Sequence, residues 1–291
     1  MTAELGTAVY GKDGIRLLCV SGHEVAEATV RVLVSGGPEE SYLAGDNSRV
    51  VTTDTMGGVA TATLARTGIA TAEDAALAVT AAIRGHYPFL PRVEAEVSVV
   101  RWERLSDSSG HHQGPGPGFA RPGWPCDRAA ATSSTDGTTL VSGWTGPPLL
   151  LTRGSRFTGF VQDERTPNQP AQDRAIAGDL DLRWSVAGLA DHSADHSAVR
   201  AAVCAAALGA FEVCRSESVQ HMLTLMARRV LEENPLVRSV EARMDGIPLS
   251  LVGGADGVCR AYVVGAQPRP HTQVALRRAS WAGQPAEGRL S

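Results

Sequence analysis

The chain is almost without lysine. Of its 27 basic residues only Lys12 is a lysine, and all the others are arginines. An arginine supplies surface charge as well as a lysine does, but only the lysine ammonium loses its proton at an accessible pH. Lys12 is therefore a candidate proton carrier. The alternative is that it is a neutral remnant of mutational drift.

Other absences exclude whole classes of protein. The net charge is -4, so no basic field favours nucleic acid or a membrane surface. No apolar run approaches the roughly 18 residues of a membrane helix, and no charged-then-apolar leader opens the chain. The final tripeptide, 289–291, is not a peroxisomal signal. We therefore expect a cytoplasmic protein that binds neither nucleic acid nor membranes.

Cysteine and histidine patterns do not indicate a metal centre. The five cysteines are odd in number and form no Cys-x-x-Cys pair, which is typical of reduced thiols. His192 and His196 have the i,i+4 spacing of a helical metal site, but a polar loop that caps the next helix explains them equally well. His111 and His112 lie in a stretch rich in glycine and proline. We predict no metal.

Periodicity predicts strands and one helix in the first half of the chain. These elements are strands at 8–20, 28–34 and 93–99 and a helix at 71–84. The second strand places Val30, Val32 and Val34 on one face. Thr71 is the predicted N-cap of the helix, with Asp74 at the capping-box position. Residues 106–137 lack periodicity and are rich in Gly, Pro and Ser, so we predict a loop there.

The second half repeats this organisation. It has predicted strands at 148–162, 178–187, 237–252 and 258–267 and helices at 198–213 and 219–233. We therefore expect two modules, 1–143 and 144–291, in an α+β protein. Each would have an antiparallel sheet with helices on one face.

Short motifs occur in a fixed order along almost the whole chain. They are Tyr10–Arg16, Ser41–Ser48, Val51–Thr55, Ser155–Phe160, Asp163–Thr166, Gln172–Ile176 and Ser218–Gln220. Together they resemble the urate oxidase (uricase) family, cofactor-free enzymes built from two tandem tunnelling-fold modules. The resemblance implies an oligomeric barrel, a homotetramer with sites at subunit interfaces, and no metal or organic cofactor.

The resemblance assigns a ring-binding set in the second half. Phe157 would stack on a planar heterocycle, and Arg174 would donate hydrogen bonds to an oxygen and a nitrogen of the ring. Gln220 would hydrogen-bond to the other edge of the ring. A ring face, a planar guanidinium fork and a carboxamide suit these roles. Val219 and Gln220 fall at a predicted helix start, where free backbone N–H groups favour an anion. Taken singly, Phe157 is as well explained as a core residue and Arg174 as an ion-pair partner.

A second set is implied in the first half, contributed by a neighbouring subunit. A proton would pass through the Thr53 hydroxyl to Lys12. Asp54 would position the turn, although an acidic residue in a first helical turn is also favourable without any such role.

The family pattern breaks near the C-terminus. Urate oxidases have a segment here whose Asn holds dioxygen or water and whose His completes the proton relay. Counting without gaps places Gly246 at the Asn and Pro248 at the His. Neither side chain can donate a hydrogen bond or carry a proton. The family's Lys-Asn after the Thr-Asp motif is also replaced, by Gly57-Gly58, which weakens that helix start. His221 and His271 are candidate substitutes for the relay His, but an adjacent helical residue usually points elsewhere.

Three functions remain open at this point. The first is a working urate oxidase, which Gly246 and Pro248 oppose. The second keeps the ring pocket but changes the reaction, for example to ring closure or N-functionalisation of a purine, pteridine or aminopyrimidine in a biosynthetic pathway. The third is a non-catalytic protein that binds a purine. We favour the second, because the sole lysine is retained while its relay partner is absent.

Overall fold

The computed structural model describes residues 4–105, 117–186, 195–253 and 260–279. The chain forms two compact units, one with residues up to Gly143 and one with most of the chain from Trp144. The elements up to the boundary are β1 (Val9–Ser21), β2 (Glu24–Ser35), α1 (Glu39–Leu43), α2 (Thr53–Thr67), α3 (Ala72–His86), β3 (Arg92–Arg101), β4 (Glu103–Arg104), β5 (Phe119–Ala120) and β6 (Cys126–Ser134). The boundary itself lies within β7 (Gly137–Phe157). The remaining elements are β8 (Ala171–Val186), α4 (His196–Glu212), α5 (Val219–Glu233), β9 (Val237–Ile247), β10 (Leu249–Gly253), β11 (Ala261–Val264) and β12 (His271–Arg277).

The sheet of the first unit has the order β1-β2-β3-β6, followed by the start of β7. Its first four strands pair antiparallel. One face is apolar, and Val30, Val32 and Val34 on β2 are fully buried, as the alternation predicts. Helix α3 packs against β3 and β6, and α2 packs against β1. Burial of this face is the main stabilising contribution in the unit.

Helix α3 begins as the sequence predicts. The Thr71 hydroxyl accepts a hydrogen bond from the Asp74 amide at 3.0 Å and donates one to the Asp74 carboxylate at 2.7 Å. These bonds satisfy one of the free N–H groups of the first turn. The predicted cap is confirmed.

The opposite face of the first sheet holds charged side chains in ion pairs. Glu96 on β3 is 7% exposed, with Arg31 at 2.7 Å and Arg128 at 3.2 Å. The alternation of 93–99 predicts a half-solvated strand, and the burial of Glu96 corrects this prediction. A buried carboxylate is tolerated because two guanidinium groups compensate its charge.

Glu27, on the same face, provides a test of stability against pH. The hydrogen bonds from Arg16 and Arg121 lower the pKa of Glu27. The ionised carboxylate therefore stabilises the folded state above the ordinary glutamate pKa of about 4.3, and this contribution disappears as the pH falls through the lowered pKa. We expect the Glu27→Gln variant to be less stable than wild type at pH 7 and the difference to shrink below about pH 4. Urea unfolding between pH 3 and 7 measures it.

The matched control is Glu164→Gln. The Glu164 side chain is 84% exposed, and in the described part of the chain its one ion-pair partner is its neighbour Arg165, so its replacement should leave the pH profile unchanged. A stability difference for Glu27→Gln that stayed constant across the pH range would contradict the assignment.

The second unit is built on the same plan. Its strands have the order β7-β8-β9-β12, with β8, β9 and β12 antiparallel. Helix α5 packs on β9 and β12. Side chains of the sheet and of α4 and α5 form one core, which includes Leu180, Leu182, Trp184, Val203, Ala207, Met222, Met226 and Met244.

Several predicted elements are corrected by the structure. The predicted loop at 106–137 contains β5 and β6, and 106–116 lies outside the described residues. The sequence of β6, which is rich in Ala and Ser, has little strand propensity, and its pairing on both sides decides its conformation. The predicted strand at 237–252 is two strands divided at Pro248, because proline has no N–H for a ladder. The strand β12 was not predicted.

None of the helices in the described part of the chain has the length and apolar character that crossing a bilayer requires.

Candidate active site

A bulge in β1 sets the position of Lys12. The pairing of β1 with β2 shifts between Lys12 and Ile15, so that two residues of β1 oppose one of β2. Gly14 makes this possible with a φ of +69°, which glycine adopts without steric cost. Gly11 is required for a different reason: a Cβ there would meet the Val32 carbonyl oxygen of β2. Bulges of this kind re-aim a side chain beside a functional site.

The Lys12 ammonium contacts the first turn of α2. Its Nζ donates to Asp54 Oδ1 at 2.5 Å. This hydrogen bond and the lysine charge lower the pKa of Asp54. The helix start is fixed by Thr52, whose hydroxyl accepts from the Thr55 amide at 3.1 Å. Thr53, the predicted relay hydroxyl, is the exposed first residue of α2, and Asp54 is the helix residue that the ammonium contacts.

Two glycines of α2 leave room for the lysine stem. A cavity of about 490 Å³ lies beside Lys12 and is lined by Gly57, Gly58 and the small residues of the next turn. A Cβ at Gly57 would lie 3.2 Å from Lys12 Cδ. The two glycines do not interrupt α2, and the lysine lies over the surface that they leave open.

The ring-binding set lies in the second unit. Phe157, the last residue of β7, stacks on Phe160 with ring centroids 4.6 Å apart and planes 13° apart. The guanidinium carbon of Arg174 lies 4.6 Å from the centroid of Phe157. The Phe157 ring is therefore in contact with both Phe160 and the Arg174 guanidinium, and Phe160 is a residue to which no role was predicted. Its place in the Ser155–Phe160 motif was the available signal.

Arg174 lines a cavity of about 960 Å³. Its Nε is buried and has no hydrogen-bond partner among the described residues, and burial lowers the pKa of its guanidinium. Val219, at the start of α5, lines the same cavity. The Ser218 hydroxyl caps this helix by accepting from the His221 amide at 3.1 Å. Gln220 is exposed in the first helical turn and is not part of the lining.

Gly246 and Pro248 line the cavity that contains Arg174. The Gly246 amide donates to the Pro270 carbonyl at 2.7 Å. Arg269 supports the same strand end by donating to the Asp245 carbonyl at 2.6 Å and to the Asp179 carboxylate at 2.7 Å. A Cβ at Gly246 would lie only 2.7 Å from Pro270 Cγ. An asparagine at this position therefore requires Pro270 to move.

Gly246→Ala is expected to destabilise the fold. We expect the free energy of unfolding to fall by about 1–3 kcal/mol, because the proline ring is rigid and held by a backbone hydrogen bond. Gly58→Ala is the matched control, since a Cβ there has no atom within 4 Å, and it should raise stability by about 0.5–1 kcal/mol. Chemical denaturation measures both. An unchanged stability for Gly246→Ala would show that Pro270 moves aside without a measurable cost in free energy.

Neither candidate substitute for the relay histidine lies at the cavity. His271 pairs with Asp245, its Nδ1 lying 2.7 Å from Oδ1. Asp245 points to the face opposite its strand neighbour Met244, which is buried in the core. His221 accepts a hydrogen bond at Nδ1 from the Glu217 amide at 3.2 Å. No histidine is among the described residues that line the cavity.

Within the described ranges, no three His, Cys, Asp or Glu side chains come together as metal ligands. His111, His112 and His192 lie outside these ranges. The absence of a metal therefore stays a prediction.

A family model and several known proteins are similar to this chain in sequence. A family model described as Uricase matches residues 131–278. Uricase from Arthrobacter globiformis is 29% identical over 241 residues, covering 81% of this chain and 76% of that protein. Uricase from Dictyostelium discoideum is 30% identical over 242 residues, covering 79% and 81%.

The fold comparison extends over the whole chain. The crystal structure of uricase from Arthrobacter globiformis has a TM-score of 0.86 with this structure, at 25% identity, and covers 98% of this chain and 99% of the other. The predicted α+β tunnelling fold is confirmed, whereas the homotetramer stays a prediction. Matches over more than half of the chain lead to one conclusion: the protein belongs to the uricase family, within the urate oxidase superfamily of enzymes.

Proposed function

We propose that the protein is a cofactor-free enzyme that acts on a planar purine-like or aminopyrimidine heterocycle, with chemistry that differs from urate oxidation. One observation carries the proposal. The cavity lined by Arg174 and Val219 continues to Gly246 and Pro248, and its described lining contains no histidine. A ring can bind there, but the groups that would handle oxygen and relay a proton at that end are replaced by residues without such chemistry.

Ring binding is supported by two features of the second unit. The Phe157 ring is stacked on Phe160 in this structure, so a heterocycle that stacks on that face would take the place of Phe160. The buried Arg174 Nε has no partner, and a ring carbonyl or deprotonated nitrogen would supply one. The backbone N–H groups at Val219 and Gln220 are at a helix start, where partial positive charge favours an anionic ring. Gln220 would have to turn towards the ligand.

The chemical step is assigned to the first unit of a neighbouring copy. Lys12 would carry the proton removed from a ring nitrogen, with the Thr53 hydroxyl between substrate and amine and with Asp54 holding the ammonium. Formation of a new bond at a ring N–H releases its proton in either ring closure or N-functionalisation, and Lys12 would accept that proton. The proposal therefore includes a homotetramer with sites at its interfaces. The cysteine pattern favours a cytoplasmic location.

Urate oxidation is the second candidate. The family membership and the retained Lys12 and Thr53 favour it, since the relatives compared are named uricases. The reaction is urate, dioxygen and water giving 5-hydroxyisourate and hydrogen peroxide. Loss of a positioned acid–base group costs a factor of about 10² to 10⁴ in rate, which opposes it.

Aerobic incubation with urate distinguishes these functions. Loss of urate absorbance and release of peroxide would be followed in one cuvette, with uricase from Arthrobacter globiformis as the positive control. We expect tight, saturable urate binding by calorimetry without turnover. Turnover at an ordinary enzymatic rate would establish the second candidate. Absence of both binding and turnover would refute the ring pocket. Urate binding together with no conversion of any purine, pteridine or aminopyrimidine tested would favour instead a purine-binding protein without catalytic activity.

A further inference from the structure

The cavity beside Arg174 is larger than a bicyclic ring requires. Its volume of about 960 Å³ is near the upper end of the range for small-molecule sites, about 300–1,000 Å³. One side is formed by β8 and the end of β9, and the other by the hairpin of β10 and β11, which pair antiparallel. The hairpin therefore encloses space beyond the place where the ring would lie. The following inference rests on the proposed function of this cavity.

The hairpin side of the cavity is rich in hydrogen-bond donors. Arg260, Tyr262 and Ser250 line it. Among the residues that the structure describes, no ion pair or hydrogen bond engages the Arg260 side chain. The one carboxylate in the lining, Asp173, accepts a hydrogen bond from the Gly154 amide at 2.5 Å. The amide is neutral, so the Asp173 carboxylate keeps its negative charge in the lining.

Two arginines in one cavity make a field that attracts anions. A planar heterocyclic anion at Arg174 satisfies one of them and leaves Arg260 uncompensated. Guanidinium groups bind carboxylates and phosphates through paired charge-assisted hydrogen bonds. Hydroxyl donors such as those of Tyr262 and Ser250 complete the coordination of such a group. With two arginines and one carboxylate, the described lining has a net positive charge, which raises the local concentration of anionic ligands.

We propose that the substrate is a purine-like heterocycle with an anionic substituent, a carboxylate or a phosphate, which Arg260 binds while the ring lies at Arg174. The space towards Gly246 and Pro248 would admit the link between the two groups. Gly246 and Pro248, which have no bulky polar side chain, would then leave room for this larger substrate.

A binding series tests the proposal. Xanthine is the unsubstituted probe, because its binding is measured directly and does not depend on turnover. The substituted probes are xanthines with a carboxymethyl group on N3, N7 or N9, and xanthosine 5′-monophosphate. Isothermal titration gives the affinity of each for wild type and for the Arg260→Ala and Arg260→Lys variants. Arg228→Ala is the matched control, because Arg228 is exposed on α5 and is not part of the lining.

We expect at least one substituted probe to bind about 10- to 100-fold tighter than xanthine to wild type and to Arg228→Ala. Arg260→Ala should remove this gain, and Arg260→Lys should retain part of it. A gain confined to the carboxymethyl probes or to the nucleotide identifies the anion. Equal affinities across the series, or a gain that survives Arg260→Ala, would overturn the inference while leaving ring binding intact. Failure of every probe, xanthine included, would overturn the proposed function as well.

Discussion

Replacement of Lys12 by arginine is expected to lower turnover of the heterocycle by a factor of about 10² to 10⁴. The substitution keeps the positive charge beside Asp54 but removes the group that can lose a proton. The surface of α2 at Gly57 and Gly58 has room for the longer side chain, so the fold should tolerate it. Steady-state kinetics with the converted heterocycle measures kcat, and affinity for the ring should change little.

The control for Lys12→Arg is the reverse exchange on the same strand. Arg16→Lys changes a cation of β1 that pairs with Glu27, away from α2, and it should leave turnover unchanged. Turnover by Lys12→Arg at the wild-type rate would exclude the proton-carrying role. It would also remove the reason for treating the sole lysine as functional, and drift would then explain it.

Loss of the Arg174 side chain is expected to weaken ring binding by about 100-fold or more. Arg174→Ala removes two charge-assisted hydrogen bonds to the ligand, each worth about 1.5–3 kcal/mol, and also the cation that lies over Phe157. Arg174→Lys keeps the charge but loses the planar fork, so we expect an intermediate affinity. Calorimetric titration with urate or xanthine gives the three dissociation constants.

Arg277→Ala is a suitable control for this series, since Arg277 is exposed at the end of β12 and lies outside the cavity lining. Its affinity should equal that of wild type. Equal affinity of Arg174→Ala and wild type would show that the ring binds elsewhere, and the assignment of this cavity would fail. Circular dichroism and denaturation of each variant separate a binding loss from a folding loss.

Local patterns predicted the parts of the fold that depend on near neighbours. The alternation at Val30, Val32 and Val34 predicted a buried face, and the Thr71–Asp74 spacing predicted a cap. Both depend on residues a few positions apart, so the chain itself contains the signal. Local patterns did not predict the strand β6, because its Ala- and Ser-rich sequence forms a strand only through pairing with neighbours on both sides.

For the candidate site as well, the sequence indicated some features, while other assignments stay untested. Ordered motifs indicated the family and named Lys12, Phe157 and Arg174, since a family pattern is a property of the sequence. The assignment of Gly246 and Pro248 to the family's Asn and His positions stays a prediction. The roles given to Thr53, Val219 and Gln220 stay predictions.

The sequence by itself determined the family of this protein and the chemical types of its candidate ring-binding groups, and it predicts that the relay histidine is replaced. Only the tertiary structure decided which atoms meet. It placed Asp54 against the ammonium of Lys12, Pro270 against Gly246, and Arg260 on the wall of the cavity that Arg174 lines. Strand register and a hairpin bring together residues that are distant in the chain, and no local pattern contains that information.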